Sequence, residues 1–377
     1  MKGTHLPRVS LVAPESPVRT SDNGVTQHFG SVSRRFAGHV QDAFVFPDGP
    51  QVFHLLLQFS NSVLEELLLD TVLTANVVAI VILARGKCGL SKCITLYLVY
   101  MAVGDLMVLI FEVILYEIKD GYFPNSFLNL TPVCSVNLTM LFMSIDCSVW
   151  LTVTFTFDRF VAICCPKLRV RYCTEKTASL VIAVVCSLSV IENIPMYFVY
   201  APREIINNVA WSCGVTPDFY TSPLLVAFWS FETILTPFIP FLLIMLLNAL
   251  TIRHIIHANR VRSGLRANKK EESGADHEVD NRRKSIILLL AVSGSFVLLW
   301  MVIFVCFISV RFIDVQLLAT DYDDPFTVAE QSGYMLRCLS ACTNTFIYAV
   351  SQTKFREELK TLFRVPCGFL SNSIKHF

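Results

Sequence analysis

The stretch from Cys134 to Pro166 carries the most distinctive chemistry of the sequence, with a cysteine at one end and Asp158-Arg159-Phe160 at the other. The residues between are almost wholly apolar, and a helix would separate Cys134 from Arg159 by roughly 38 Å. Because the hydrocarbon core of a bilayer is about 30 Å thick, such a helix would hold the thiol at one membrane face and the charged pair at the other. Charges at that depth are costly and tend to be functional, although an arginine that only reaches toward the headgroups is the structural alternative.

A polar band crosses the middle of this predicted helix. Thr152 lies seven residues before Arg159, and Ser148 lies four residues before Thr152. At these spacings the three side chains share one helical face. A helix that touched only lipid would not need polar side chains there. We therefore expect this helix at the centre of a helical bundle.

The composition and the apolar runs predict an all-α membrane protein. Hydrophobic residues make up 54% of the 377 residues and charged residues only 16%, which is too apolar for an ordinary soluble domain. Seven runs are each long enough to span a bilayer, at about 63–84, 93–116, 133–160, 177–200, 223–251, 285–310 and 328–351. The sequence therefore predicts a bundle of seven transmembrane helices.

Lysine and arginine predict the orientation of the bundle. They cluster after the first, third, fifth and seventh runs, whereas the alternate separators hold only Lys119, Arg203 and Arg311. Positive charge marks the cytoplasmic side, so the N-terminus is predicted to be extracellular.

The two ends of the chain have different predicted roles. Residues 1–60 are polar and mixed, and they are predicted to form a mostly disordered extracellular tail ahead of a transmembrane domain at 61–351. Within 352–377, Phe355, Leu359 and Leu362 share one face, which predicts a short amphipathic eighth helix on the inner leaflet. Cys367 beyond it is a candidate for palmitoylation, with an unmodified thiol as the alternative.

Two cysteines and one asparagine are predicted to lie outside the cell. Cys134 and Cys213 would share the oxidising exterior, which favours a disulfide over two unpaired thiols. Asn129-Leu130-Thr131 has the pattern of a glycosylation acceptor, although it lies close to the membrane.

The order and spacing of several motifs across about 63–364 resemble the rhodopsin-like (class A) G-protein-coupled receptors. The motifs are Asn76, Asp105, Cys134, Asp158-Arg159-Phe160, Cys213, Pro240, Phe296 to Trp300, and Asn344 to Tyr348. The resemblance implies a plasma-membrane receptor whose partners are a heterotrimeric G protein, an extracellular small-molecule or peptide ligand and the bilayer, with no nucleic acid. It assigns coupling and activation to Asp158, Arg159, Phe160, Phe296, Trp300, Asn344 and Tyr348.

The departures from the family pattern predict a weak restraint on the inactive state. Val302 and Thr345 stand where the family has prolines, and Asn248 stands where it commonly has a tyrosine. Arg282 lies near a position where an acid often pairs with the equivalent of Arg159, and like charges cannot attract. The alternative to a weakly restrained receptor is a divergent or decayed copy. Thr345, Asn248 and Leu299, which stands where a cysteine is usual, also resemble an orphan branch whose better-known members respond to aromatic amino acids.

Two other classes of protein, transporters and enzymes, have less support in the sequence. A seven-helix transporter or proton pathway would also hold buried charges, but the sequence shows neither inverted repeats nor paired broken helices. No P-loop, metal or nucleophile constellation indicates an enzyme, and no cofactor is predicted apart from an allosteric Na⁺. By family resemblance, Asp105, Ser148 and Asn344, with Asn76 near them, would meet at mid-membrane and suit that ion.

Three acids lack an evident basic neighbour. Asp146, Glu192 and Glu232 lie at similar depths on the third, fourth and fifth predicted helices. If they cluster, a proton or a cationic ligand must neutralise part of their charge. The alternative is that Glu192 and Glu232 reach separate water-filled crevices.

Counting residues predicts an ion pair between Glu112 and Arg337. Asp105 and Asn344 lie at the same depth in the family. Glu112 is seven residues outward of Asp105, and Arg337 is seven residues outward of Asn344. Glu112 and Arg337 should therefore lie on the same helix faces as those two residues, about 10 Å further out. The pair would either meet a ligand or serve as a permanent brace.

Leu141 stands where amine receptors have an aspartate, which argues against a biogenic amine. The predicted ligand-binding residues are Glu112, Tyr116, Leu141, Glu232, Phe304, Tyr334 and Arg337.

Overall fold

The computed structural model describes residues 72–118, 123, 125–266, 275–313 and 325–362. The predicted extracellular tail, Cys367 and the side chains of Tyr116 and Arg282 lie outside the described part of the chain.

All seven predicted helices are present within the described residues. Five of them are long and apolar enough to cross a membrane, whereas the described part of the first, Val72–Ala84, is shorter. The helices are α1 (Val72–Ala84), α2 (Lys92–Leu109), α3 (Thr131–Cys164), α4 (Glu175–Asn193), α5 (Pro223–Thr233, resumed at Ile239–Arg266), α6 (Ala275–Ile313) and α7 (Pro325–Ser351).

α3 lies at the centre of the bundle, as its polar band predicts. It packs against α2, α4, α5 and α6. The hydroxyl groups of the band are buried, and Thr152 Oγ1 donates to the carbonyl of Ser148 at 3.0 Å, so the helix satisfies its own polar groups where no water is available. Two apolar clusters surround α3, an inner one around Tyr97 and Phe155 and an outer one around Trp300.

One wider π-helical segment follows α2, and another interrupts α5. The segment after α2 is Ile110–Ile118, which contains Glu112. In α5 it is Ile234–Phe238, where Thr236 leaves helical geometry at φ −142° and ψ 97°. Thr236 precedes Pro237, and a residue before proline is pushed toward extended backbone. Segments of this kind are frequent at functional sites, and both lie in the outer half of the bundle.

The loop between α4 and α5 contains two short antiparallel pairings. Glu204–Ile206 pairs with Val209–Trp211, and Tyr200–Ala201 pairs with Gly214–Val215. Asn207 and Asn208 connect the first pair with φ values of 51° and 59°, the two positive values that a two-residue type I′ turn requires. The sequence interpretation did not include these strands.

The predicted disulfide joins this loop to α3. Cys134 and Cys213 are bonded, with their Cα atoms 6.0 Å apart. Thr131 Oγ1 donates to the carbonyl of Ser212 at 2.7 Å, so the loop is also held beside the bond. The bridge is therefore confirmed, and the loop is fixed over the outer end of α3.

The predicted amphipathic helix follows α7 at residues 353–362. Phe355 is only 1% exposed, and its ring lies edge-on to that of Tyr348 with centroids 6.1 Å apart. Arg356 Nη1 donates to the carbonyl of Val350 at 2.7 Å, which satisfies an acceptor at the end of α7. The apolar face of this helix therefore packs on the inner end of the bundle.

We expect Phe355→Ala to destabilise the purified protein by about 3–5 kcal/mol, because it removes a fully buried ring. Lys360→Ala, on the exposed side of the same helix, is the matched control and should change little. Thermal unfolding of both variants measures the difference. Equal melting temperatures would show that the contact between Phe355 and Tyr348 does not hold this helix.

Candidate functional site

Asp158 and Arg159 form a buried ion pair at the inner end of α3. Their side chains are 1% and 5% exposed, and Arg159 Nε donates to Asp158 Oδ2 at 3.0 Å. Cys93 of α2 donates its thiol to Asp158 Oδ1 at 3.3 Å. The arginine is therefore held by its own neighbour in the chain, and Phe160 beside it lies 6.4 Å from Phe157 between ring centroids.

Cys173, between α3 and α4, shows how dry the surroundings of this pair are. Its thiol contacts the carbonyl of Asp158 at 3.6 Å. Burial first, and the negative charge of Asp158 second, raise the pKa of Cys173 to about 12. A thiol in this environment stays protonated and unreactive.

Asp105 is the centre of a polar cluster at mid-membrane. Ser148 Oγ donates to Asp105 Oδ1 at 2.6 Å, and Asn344 Nδ2 donates to Asp105 Oδ2 at 2.9 Å. Asn76 instead donates to the carbonyl of Ala341 at 3.0 Å and does not join this cluster. The cluster borders a small cavity, which we call the inner cavity. Its carboxylate, hydroxyl and amide oxygens are the ligand types that a hard cation prefers.

The aromatic residues that the resemblance assigns to activation lie next to these polar groups. The rings of Phe296 and Trp300 stack with centroids 5.0 Å apart, which confirms that they share a face of α6. Tyr348 is 1% exposed, and its hydroxyl has no hydrogen-bond partner. α6 continues unbroken past Trp300 because Val302 keeps the backbone N–H that a proline would remove.

The ion pair predicted between α2 and α7 is present. Arg337 Nη2 contacts Glu112 Oε1, and the two residues are 7% and 8% exposed. The thiol of Cys338 lies 3.6 Å from Glu112 Oε2, and the guanidinium carbon of Arg337 lies 5.0 Å from the centroid of the Tyr334 ring. Arg337 Nε has no hydrogen-bond partner. The pairing is therefore confirmed, whereas its role in ligand binding stays a prediction.

A second cavity, here called the outer cavity, lies on the side of Trp300 that is nearer the Cys134–Cys213 disulfide. It is bordered by charged residues from α3, α5 and α7 together with aromatic rings. The lining residues are Phe142, Ile145, Asp146, Met196, Trp229, Glu232, Thr233, Thr236, Pro237, Trp300 and Arg337. Its walls therefore carry opposite charges in an apolar setting, which is the general character of a small-ligand site.

The predicted ligand-binding residues divide into two groups. Glu232 and Arg337 line the outer cavity, and Glu112 lies behind Arg337. Leu141 is packed into the outer apolar cluster, with Tyr334 against it. Phe304 instead stacks on Phe241 of α5, with ring centroids 4.5 Å apart, and does not line either cavity. These positions keep Glu232 and Arg337 as the best candidates for contact with a ligand.

The three acids do cluster, as one reading of the sequence proposed. Carboxylate oxygens of Asp146, Glu192 and Glu232 lie within 4.8 Å of one another. Asn193 Nδ2 donates to Asp146 Oδ2 at 2.5 Å and to the carbonyl of Ser189 at 2.9 Å. The sequence analysis did not identify Asn193. Its position directly after Glu192, at the end of an apolar helix, is a signal that could have indicated it.

Glycosylation of Asn129 stays a prediction. Asn129 is only 7% exposed, and its carbonyl accepts a hydrogen bond from Ser212 N at 2.6 Å. The residue is therefore buried against the loop between α4 and α5. The sequence pattern was present, but it contains no information on burial.

Comparison with known proteins agrees with this geometry. A family model, 7 transmembrane receptor (rhodopsin family), matches residues 75–348. The FMRFamide receptor of Drosophila melanogaster is 26% identical over 213 residues, an alignment that covers 53% of this chain and only 38% of that protein. The family match spans both cavities and the charged pair at the inner end of α3. The chain belongs to the rhodopsin family of seven-transmembrane receptors, which is a family of receptors and not of enzymes.

Proposed function

We propose that the chain is a plasma-membrane receptor with an extracellular N-terminus that binds a peptide or small molecule in the outer cavity and activates a heterotrimeric G protein. One observation carries this proposal. The buried pair of Asp158 and Arg159 and the disulfide of Cys134 lie at opposite ends of the same helix. The positive loops follow the inner ends of the helices, which supports this orientation.

A peptide ligand is favoured over an amino acid. The relative from Drosophila melanogaster is named for FMRFamide, a peptide, and this name supports a peptide ligand for the chain. The resemblance to receptors for aromatic amino acids gives weaker support to an amino acid. The position of Leu141 within the apolar cluster gives an amine no counter-charge on α3 at that level.

The inner end has a local restraint on Arg159. Within the described residues, the ion pair of Arg159 is with Asp158, its neighbour in sequence, and not with an acid on α6. α5 and α6 are joined nearby by a hydrogen bond of 2.9 Å from Ser293 Oγ to Asn248 Oδ1. Activation would require Arg159 to leave Asp158 and meet acceptor groups on the G protein.

We expect Asp158→Asn to raise basal nucleotide exchange on a purified G protein by about 5-fold, because it frees the guanidinium of Arg159. Arg159→Ala should lower the exchange at least ~10-fold at equal surface expression. Glu175→Gln, at the exposed pair with Lys92, is the control, since it removes a charge without altering the buried pair.

Exchange that is unchanged in both charge variants would contradict this account of coupling. If no G protein responds to the wild type while a labelled solute crosses the membrane, the chain is a transporter.

We further propose that the inner cavity binds Na⁺ and that the ion stabilises the resting state. Asp105 supplies the carboxylate, and Ser148, Asn344 and Ser340 line the same space. Oxygen ligands of this kind suit a hard cation. An ion held there would keep α2, α3 and α7 together on the cytoplasmic side of Trp300.

We expect basal nucleotide exchange to fall about 5-fold when N-methylglucamine chloride is replaced by an equal concentration of NaCl. Asp105→Asn should abolish this dependence, because it removes the charge that holds the ion. Glu175→Gln, at an exposed pair with Lys92, is the control and should keep it. An effect of sodium that is equal in wild type and Asp105→Asn would exclude Asp105 as the ion's ligand.

A further inference from the structure

Two acids that line the outer cavity, Asp146 and Glu232, form a cluster with Glu192 of α4. Asp146, Glu192 and Glu232 come from three different helices, yet their oxygens lie within 4.8 Å of one another. None of the three makes an ion pair with a described lysine, arginine or histidine. Like charges this close repel each other in an apolar medium, so the arrangement favours a cation between them.

Several polar atoms around these acids have no hydrogen-bond partner. They are Glu192 Oε1, Glu232 Oε1 and Thr236 Oγ1, all of them buried. Native proteins leave few buried polar atoms unsatisfied. The two carboxylate oxygens are acceptors, so a group with several N–H donors would satisfy both of them.

The cavity gives a second and independent indication of a ligand. Arg337, which is 7% exposed, lines the wall that α7 contributes, and its Nε has no partner. An unsatisfied donor on this wall therefore shares the cavity with the unsatisfied acceptors of α5. A ligand that carries a cationic group and a neutral acceptor oxygen would satisfy both.

The walls of the cavity favour an organic cation over a metal ion. Phe142 and Trp229 form part of the wall beside Asp146 and Glu232. Aromatic faces attract a flat guanidinium, and a carboxylate can accept two of its N–H groups at once.

We propose that Asp146, Glu192 and Glu232 form the subsite that binds the guanidinium or ammonium group of the ligand, while Arg337 Nε binds a carbonyl oxygen of the same molecule. This rests on the proposed function, because it names the chemical class of ligand for the same receptor. Thr236, where the backbone of α5 leaves helical geometry, lines the same cavity.

The test uses the full-length receptor in lipid nanodiscs with argininamide, which carries a guanidinium and an amide carbonyl. Citrullinamide, in which a neutral urea replaces the guanidinium, is the matched probe. We expect argininamide to raise the melting temperature by about 3 °C near saturation and citrullinamide to have little effect. Glu232→Gln and Glu192→Gln should each weaken argininamide binding about 10-fold or more. Glu175→Gln, at the cytoplasmic end of the same helix as Glu192, should bind as the wild type does.

Three outcomes would overturn the proposal. They are equal stabilisation by the two probes, argininamide binding that is unchanged in both glutamine variants, and stabilisation by CaCl₂ or ZnCl₂ but not by argininamide, which would indicate a metal site. The comparison of the two probes on the wild type decides the matter even if a variant fails to fold. No G protein enters this assay, so its failure is distinct from a failure of coupling in the nucleotide-exchange assay.

Discussion

The ion pair between Glu112 and Arg337 is the constraint on which the outer half of this bundle depends. An arginine is costly to bury at that depth, and removing the partner of a buried charge costs about 3–5 kcal/mol. The pair therefore fixes the π-helical segment Ile110–Ile118, which follows α2 and contains Glu112, against α7.

The same arginine connects the two cavities. Arg337 lines the inner cavity beside Asp105 and the outer cavity beside Glu232, and Trp300 also borders both. A ligand that engages Arg337 Nε would change the position of a residue that the resting-state cation site also touches. This gives a physical route from an outer ligand to the inner half of the bundle, one in which both sites bias the position of a single side chain.

Much of this arrangement was predictable because antiparallel helices convert residue counts into depth. The family resemblance placed Asp105 and Asn344 in a common layer, and the spacing from that layer predicted the pairing of Glu112 with Arg337. Counting could not decide which neighbour a ring on a helix face meets, and Phe304 turned out to pack against Phe241. The π-helical segments arise from packing between helices, and local sequence does not record them apart from Pro237.

Charge reversal at Glu112 and Arg337 tests the central claim most directly. If the two residues are partners, Glu112→Arg and Arg337→Glu should each reduce surface expression to about a tenth, because each leaves a buried charge unpaired, and the double variant should recover at least about half. Glu175→Arg with Arg337→Glu preserves net charge without restoring the pair and should not recover. A charge-swapped double variant that folds no better than the single variants would contradict the account.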